Sequence, residues 1–197
     1  MCNGASYARS VMKLYHGTGT HNLDSILRDG IQPRGEKPSQ WAAASNKNLV
    51  YLSQTYAMHY ATNATVNRKD SRPLLIEVDS TLLDVTRLKP DEDAVWGAWK
   101  AGAIQLPVPV WLRTRSPAEQ AEFIGELLDK DQDIGIDYLG SLQLLGNCTY
   151  RGTINPSAIT RVIEYPKDGG WRLRWFDPVI EIQNFAYFGK EYAAVQK

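Results

Sequence analysis

The chain has 197 residues, of which 43% are hydrophobic and 10% aromatic, and its 22 basic residues balance 22 acidic residues. This composition excludes a disordered chain, because there is enough apolar surface to form a core, and the zero net charge provides no bulk attraction to nucleic acid. The two cysteines lie far apart and the three histidines form no HExxH pattern, so neither a disulfide framework nor a metal site is indicated. We find no signal peptide and no membrane-spanning apolar run, and we expect a cytoplasmic protein with no membrane partner.

The first predicted elements are a strand and a helix on either side of a corner of small residues. The apolar strand covers residues 12–16 and ends at the corner Gly17-Thr18-Gly19. Asn22 is a suitable N-cap for the helix that follows, whose apolar residues recur at helical spacing. Gly30 is suited to the position just after its last turn.

Residues 32–48 are predicted to form a long polar loop, and loops of this size in compact domains are usually functional or disordered. Further strands are predicted from apolar runs at 49–52, 72–79, 148–154 and 159–165. Further helices are predicted after Ser53, after Ser116 and at 141–147. We interpret 80–115 as irregular, 166–170 as a hairpin turn before a strand at 171–176, and 178–195 as a helix.

The order of these elements favours an α+β fold. Short strands alternate irregularly with helices, and the chain has neither a regular βαβ array nor a glycine-rich phosphate loop, which argues against a doubly wound fold. We expect a flexible leader at 1–11, one domain at 12–165, and a hairpin strand with a tail helix at 166–197 appended to the same domain.

Four residues in two pairs have the chemistry of a ligand site. His16 and Gly17 place an imidazole beside an unhindered backbone amide and carbonyl, which suits a ribose hydroxyl and a carboxamide. Taken alone, a histidine at the end of a strand is more often structural. Tyr51, on a strand, and Tyr60, on the next helix, have rings that could enclose a flat heterocycle, although core packing is the more common role of such rings.

Two charged segments have weaker signals. Asp91-Glu92-Asp93 could take part in acid–base chemistry, but Pro90 before it favours a solvated turn or the start of a helix. At 171–175, two arginines alternate with apolar residues, which is typical of an amphipathic strand with an exposed basic face. Arginine beside aromatic rings also suits single-stranded nucleic acid.

The order and spacing of these motifs resemble the signature of the ADP-ribosyltransferase superfamily, of the diphtheria-toxin and poly(ADP-ribose) polymerase type. The matching residues within 13–61 are Tyr15-His16-Gly17-Thr18, Asn22-Leu23, Ile26-Leu27, Gly30-Ile31, Val50-Tyr51-Leu52, Ala57 and Tyr60. The segment 148–159 is similar to a late strand and turn of the DNA-modifying and RNA 2′-phosphate-removing branches. The resemblance implies a split central antiparallel sheet with flanking helices around an NAD cleft.

The resemblance also implies a role for each matching residue, with NAD as a co-substrate and no metal. His16 would bind the 2′-hydroxyl of the nicotinamide ribose, and Gly17 would hold the carboxamide through its backbone. Tyr51 and Tyr60 would lie against the two faces of the nicotinamide ring. Further residues expected to bind NAD are Thr18, Arg34, Ser53 and Arg151.

One position departs from the family pattern. The family has a glutamate at the start of a late strand, where this sequence has Asn147. We take Asn147 as the third catalytic position, but an amide cannot act as a base near neutral pH. Growth of poly(ADP-ribose) chains is therefore not expected.

The function implied is transfer of a single ADP-ribose from NAD to a protein or nucleic acid, with release of nicotinamide, in the role of a toxin or effector. One alternative is an NAD-dependent RNA 2′-phosphotransferase, whose branch also lacks the glutamate and relies on arginines. Another is a catalytically lapsed module that binds NAD or ADP-ribose. An α+β protein unrelated to the family is the remaining interpretation.

Overall fold

The computed structural model describes residues 12–37, 45–166 and 190–192. These residues form seven strands and five α-helices. In chain order the elements are β1 (Lys13–Gly19), α1 (Leu23–Asp29), β2 (Leu49–Ser53), α2 (Ala57–Thr65), β3 (Pro73–Asp79), β4 (Leu88–Pro90), α3 (Glu92–Lys100), α4 (Pro117–Asp129), α5 (Tyr138–Leu145), β5 (Asn147–Arg151), β6 (Ile159–Glu164) and β7 (Lys190–Tyr192).

The strands form one open, antiparallel sheet in the order β4-β5-β2-β1-β3-β6-β7. β1 pairs with β3 along its whole length, and β2 pairs in the same way with β5. By contrast, β1 and β2 are in register at one pair only, Tyr15 and Ser53. The sheet therefore consists of two well-paired halves joined by a short contact, and the mixed α and β composition agrees with the prediction.

Each side of the sheet has its own core, because strand residues alternate between the two faces. On one face, α1 and α5 pack on buried residues from both halves, which include Leu14, Val50, Ile76 and Cys148. On the other face, α2 packs on β1 and β3 through Ala57, Ala61 and Leu75. A third core lies between α3 and α4, around Trp99 and Ile124.

The corner of small residues is part of β1, so the prediction that the strand ends at His16 is wrong. β1 continues through Gly17 to Gly19, and Gly17 is in register with Leu75 of β3. The glycine is required by a close approach of α2, since a Cβ atom at Gly17 would lie 1.8 Å from the carbonyl oxygen of Ala57. Glycine here thus serves packing rather than a turn.

The signals at helix ends predicted several boundaries. Ser116 and Glu119 form a capping box at the start of α4, and Gly30, with φ +81°, follows the last turn of α1. Asn22 is the residue before α1, but its side chain donates to the Thr18 hydroxyl at 2.9 Å and does not cap the helix. No helix in the described ranges is long and apolar enough to cross a bilayer.

Two predictions fail elsewhere in the chain. The stretch 80–115 is not irregular, because it contains β4 and α3. Residues 190–192 form a strand that pairs with β6, so the helix predicted for the tail is wrong there. The leader at 1–11, the turn at 167–170 and the strand at 171–176 lie outside the described residues.

Candidate functional site

The candidate site lies where β1 and β2 part. The pair Tyr15 and Ser53 sets a register in which Gly17 would lie opposite Tyr51 if the antiparallel ladder continued. Instead, the Nδ1–H of His16 donates to the Tyr51 carbonyl at 3.0 Å. The imidazole thus occupies the acceptor that a backbone N–H of β1 would otherwise use.

The backbone groups of Gly17 are directed toward this parting. Two backbone bonds at the ends of the β1–β3 ladder show which residues of β1 bond to β3. Just before β1 the Ser80 amide donates to the Met12 carbonyl at 3.2 Å, and just after β1 the Thr20 amide donates to the Arg72 carbonyl at 2.9 Å. Hydrogen-bonded and non-hydrogen-bonded pairs alternate along an antiparallel ladder. Gly17 is therefore at a non-bonded position toward β3, so its N–H and C=O point to the β2 side, where the strands have separated.

The contact with Tyr51 sets the tautomer of His16. A carbonyl can only accept, so Nδ1 carries the proton and Nε2 presents a lone pair. Burial lowers the pKa of His16, and the hydrogen bond to the Tyr51 carbonyl offsets part of that effect. The ring is therefore neutral at physiological pH, and Nε2 can accept a hydrogen bond from a hydroxyl group.

The phenol of Tyr51 is bound to a carboxylate that the sequence analysis did not assign to the site. Tyr51 donates to Glu92 Oε1, and the Asn46 amide donates to the Tyr51 hydroxyl at 2.8 Å and to Glu92 Oε1 at 3.1 Å. Glu92 is 7% exposed, and its Oε2 is buried with no hydrogen-bond partner among the described residues. Burial and the nearby Glu92 raise the pKa of Tyr51, which stays a neutral phenol.

The acidic segment starts a helix, as predicted, but it is not solvated. Asp91 caps α3 by accepting from the Ala94 amide at 3.0 Å, and it is 3% exposed. Burial, with the charge of Glu92, raises the pKa of Asp91 to about 8, and burial raises that of Glu92 to about 7. The pKa of Asp93 is also raised by burial. The cap signal was in the sequence, but the burial follows from the pairing of β4 with β5, which no local pattern shows.

Asn147 is the first residue of β5, as the alignment with the family predicts. It lies opposite Ser53, on the same sheet face as Tyr51, and is 4% exposed. Its Nδ2 donates to the Tyr60 hydroxyl at 3.1 Å, and its Oδ1 is buried without a partner among the described residues. The structure thus joins Tyr60 to Asn147 and Tyr51 to Glu92 on one face.

The hydroxyl of Ser53, a residue that the resemblance assigns to NAD binding, is fully used by the fold. Its Oγ donates to the Gly146 carbonyl at 3.0 Å and accepts from the amides of Thr55 at 3.0 Å and Tyr56 at 2.6 Å. A serine hydroxyl has one donor and two acceptor sites, so no capacity is left for a ligand. The hydroxyl of Thr18, at a residue 6% exposed, accepts from Asn22 and retains a donor.

The guanidinium of Arg34 organises the loop before β2. It donates to the Ser45 carbonyl at 2.7 Å and to the Lys37 carbonyl. The next residue, Asn46, donates to the phenol of Tyr51, so Arg34 contacts the site through the loop backbone. Its Nε is buried without a partner among the described residues.

Arg151 is bound to acidic groups at the end of α4. It donates to the Asp129 carbonyl at 3.0 Å and lies 3.5 Å from the Asp129 carboxylate and 3.7 Å from that of Asp131. With Glu92 and Asn46 it lines a cavity of about 10 Å³. Arg151 is therefore near the carboxylate of the site, and its charge is already compensated.

Comparison with known proteins does not assign the chain to a family. No protein-family model matches it, and no curated protein matches it significantly. Among solved structures the chain is similar to EcPltA, with 10% sequence identity and a TM-score of 0.43 over 80% of this chain and 79% of that chain.

Proposed function

We propose that this protein is an NAD-dependent mono-ADP-ribosyltransferase, which transfers ADP-ribose from NAD to a macromolecular acceptor and releases nicotinamide. The observation that carries the proposal is the parting of β1 and β2, where His16 takes the Tyr51 carbonyl and the Gly17 backbone is left toward the opening. The family resemblance of residues 13–61 points to the same function.

The groups at this parting are complementary to the nicotinamide half of NAD. A carboxamide has one carbonyl acceptor and one NH₂ donor, which match the N–H and C=O of Gly17. The Nε2 lone pair of His16, one residue away, is available for a ribose hydroxyl. Tyr51 supplies an aromatic face on the other side of the parting.

In the proposed reaction, the bond between the ribose anomeric carbon and the nicotinamide nitrogen breaks, and its electron pair neutralises the pyridinium ring. A nucleophile of the acceptor then forms a bond to the anomeric carbon and loses a proton. The ribose carries positive charge in the transition state, so the protein contributes by holding the substrate, excluding water and placing negative charge nearby. Glu92, which binds the Tyr51 phenol, supplies such charge on this sheet face when it is ionised.

The test is release of nicotinamide from NAD, combined with mass spectrometry of protein and nucleic-acid fractions for an ADP-ribose adduct. We expect His16→Ala to reduce release at least about tenfold, because both the hydroxyl acceptor and the bond that parts the strands are lost. His21→Ala is the matched control, since His21 is exposed and bonds to Ser71. Equal activity of the two variants would contradict the proposal.

A lapsed NAD-binding module is the second candidate, and Asn147 is the observation that favours it. Its amide is bound to Tyr60 and offers no base where the family has a glutamate. NAD binding without nicotinamide release, with any acceptor fraction, would select this candidate. The RNA 2′-phosphotransferase is less favoured, because Arg34 and Arg151 are engaged with carbonyl and carboxylate groups.

A further inference from the structure

We propose that Glu92 is a positioning and specificity residue of the NAD site, which makes the Tyr51 ring select the cationic nicotinamide of NAD⁺ over the neutral ring of NADH. This inference rests on the proposed function and concerns the same site.

Tyr51 is held at both of its ends. Its carbonyl accepts from His16 at 3.0 Å, and its hydroxyl donates to Glu92 Oε1 while accepting from the Asn46 amide. With the backbone and the phenol oxygen both fixed, the ring has one orientation between them. A ring that is fixed before the ligand arrives gives binding without a further loss of side-chain entropy.

The bond to Glu92 also changes what the ring prefers to bind. A phenol that donates a hydrogen bond to an anionic carboxylate has an electron-rich ring face, and a cation over such a face is stabilised electrostatically. The nicotinamide ring of NAD⁺ is a cation, whereas the reduced ring of NADH and the ring of free nicotinamide are both neutral. The pair of Tyr51 and Glu92 therefore favours the oxidised substrate and does not retain the neutral product.

Among the described residues, the cations near Glu92 are already paired with other carboxylates and do not neutralise its negative charge. Lys89 of β4 and Arg151 of β5 line the same small cavity, but Lys89 is paired with Asp131, and Arg151 with both Asp129 and Asp131. The cavity of about 10 Å³ is close to the volume that one water needs.

Within the described part of the chain, the remaining charged neighbours of Glu92 are Asp91, which caps its helix, and Asp93, which lies on the same helix. Asp93 disfavours the ionised form of Glu92, and the charge of Glu92 in turn raises the pKa of Asp91. The buried Oε2 of Glu92 has no cation of the described residues as partner. Ionisation of Glu92 near pH 7 therefore adds a negative charge at the Tyr51 phenol, and the preference for NAD⁺ should grow as the pH rises through that value. Because Asp91 titrates close by, the two groups behave as a coupled pair.

The experiment compares dissociation constants of a carbocyclic NAD⁺ analogue, whose bond to nicotinamide does not break, and of its reduced form, by calorimetry between pH 5.5 and 8.5. We expect the wild type to prefer the oxidised analogue about tenfold at pH 8, with a smaller preference at pH 5.5. Glu92→Gln should bind both forms nearly equally at every pH. Tyr51→Phe keeps the ring but loses the bond to Glu92, so it should show the same loss of preference even if Glu92→Gln folds poorly.

The matched control is Glu126→Gln, the same substitution at an exposed residue of α4, which should behave as the wild type. An unchanged preference in Glu92→Gln or Tyr51→Phe overturns the inference, as does a pH dependence that persists in Glu92→Gln and is lost in Asp91→Asn. In both of those cases the proposed function stands, because the analogue still binds. A wild type that binds neither form overturns the proposed function together with this inference.

Discussion

The two edges of strand β1 differ in how their backbone groups are used. Toward β3 the ladder is continuous from Lys13 to Gly19, and β3 is buried from Pro73 to Val78. Toward β2 the ladder holds at Tyr15 and Ser53 and is then replaced by a side-chain bond from His16. One strand can therefore be structural on one edge and present free backbone groups on the other, and in β1 a single imidazole separates the two roles.

The largest expected effect on stability comes from adding a side chain at Gly17, where β1 and α2 are in close contact. Gly17→Ala places a Cβ against the Ala57 carbonyl, a backbone group that cannot move aside alone. We expect a loss of at least about 3 kcal/mol in the free energy of unfolding, measured by denaturant titration. Gly97→Ala, in open space on α3, should instead stabilise by about 0.5–1 kcal/mol. Similar stabilities of the two variants would show that α2 does not pack against β1 at Gly17 as described.

A smaller effect is expected where the two halves of the sheet still meet. Ser53→Ala removes one donated and two accepted hydrogen bonds from a residue 1% exposed. The Gly146 carbonyl and the amides of Thr55 and Tyr56 lose their partner, so we expect a loss of about 2 kcal/mol in the free energy of unfolding. Because the hydroxyl has no capacity for a ligand, NAD affinity should not change. If the variant has normal stability but binds NAD weakly, Ser53 contributes to NAD binding, contrary to this prediction.

The smallest effect concerns the carboxylates beside the open edge. Burial raises the pKa of Glu92 to about 7 and that of Asp91 to about 8, above the value of about 4 of an unfolded carboxyl. Between these values the folded state binds more protons than the unfolded state, so stability falls as the pH rises from about 4 to about 8. The free energy of unfolding of Glu92→Gln should therefore exceed that of the wild type by about 1–2 kcal/mol at pH 8 and differ little from it at pH 5.

Thermal and denaturant unfolding at the two pH values measure this change. Glu126→Gln, at an exposed residue, should show the same small difference from the wild type at both. If Glu92→Gln is less stable than the wild type at pH 8, burial of the ionised Glu92 carboxylate does not destabilise the folded protein, which contradicts the prediction.

The features of the fold that were predicted correctly depend on residues close together in the sequence. The helix start after Ser116, the glycine after α1 and the apolar runs of β2 and β3 each depend on residues a few positions apart, and all appear in the structure. The alignment with the family put Asn147 at the start of β5, although the local pattern predicted a helix at 141–147 and a strand only from 148. β4 was missed because three residues that end in a proline are too short for a strand pattern, and its pairing partner lies about sixty residues away.

The candidate site shows the same limit more sharply. His16, Tyr51 and Tyr60 were singled out from motif spacing, but the partner of the Tyr51 phenol was interpreted only as part of a solvated turn or the start of a helix. Burial of Glu92 results from the position of α3 after β4, which pairs with β5 next to β2. Contacts of that kind depend on long-range strand order, so the local sequence around 91–93 could not assign Glu92 to the site.

The most direct measurement of the central claim is amide hydrogen exchange along β1, with and without the carbocyclic NAD⁺ analogue. His16 and Thr18 face β3 and should exchange slowly in both states, whereas Gly17 faces the parting and should exchange at least about tenfold faster in the free protein. Binding of the analogue should slow Gly17 specifically, because its N–H then donates to the carboxamide. Slow exchange of Gly17 in the free protein, or no change on binding, would contradict the account.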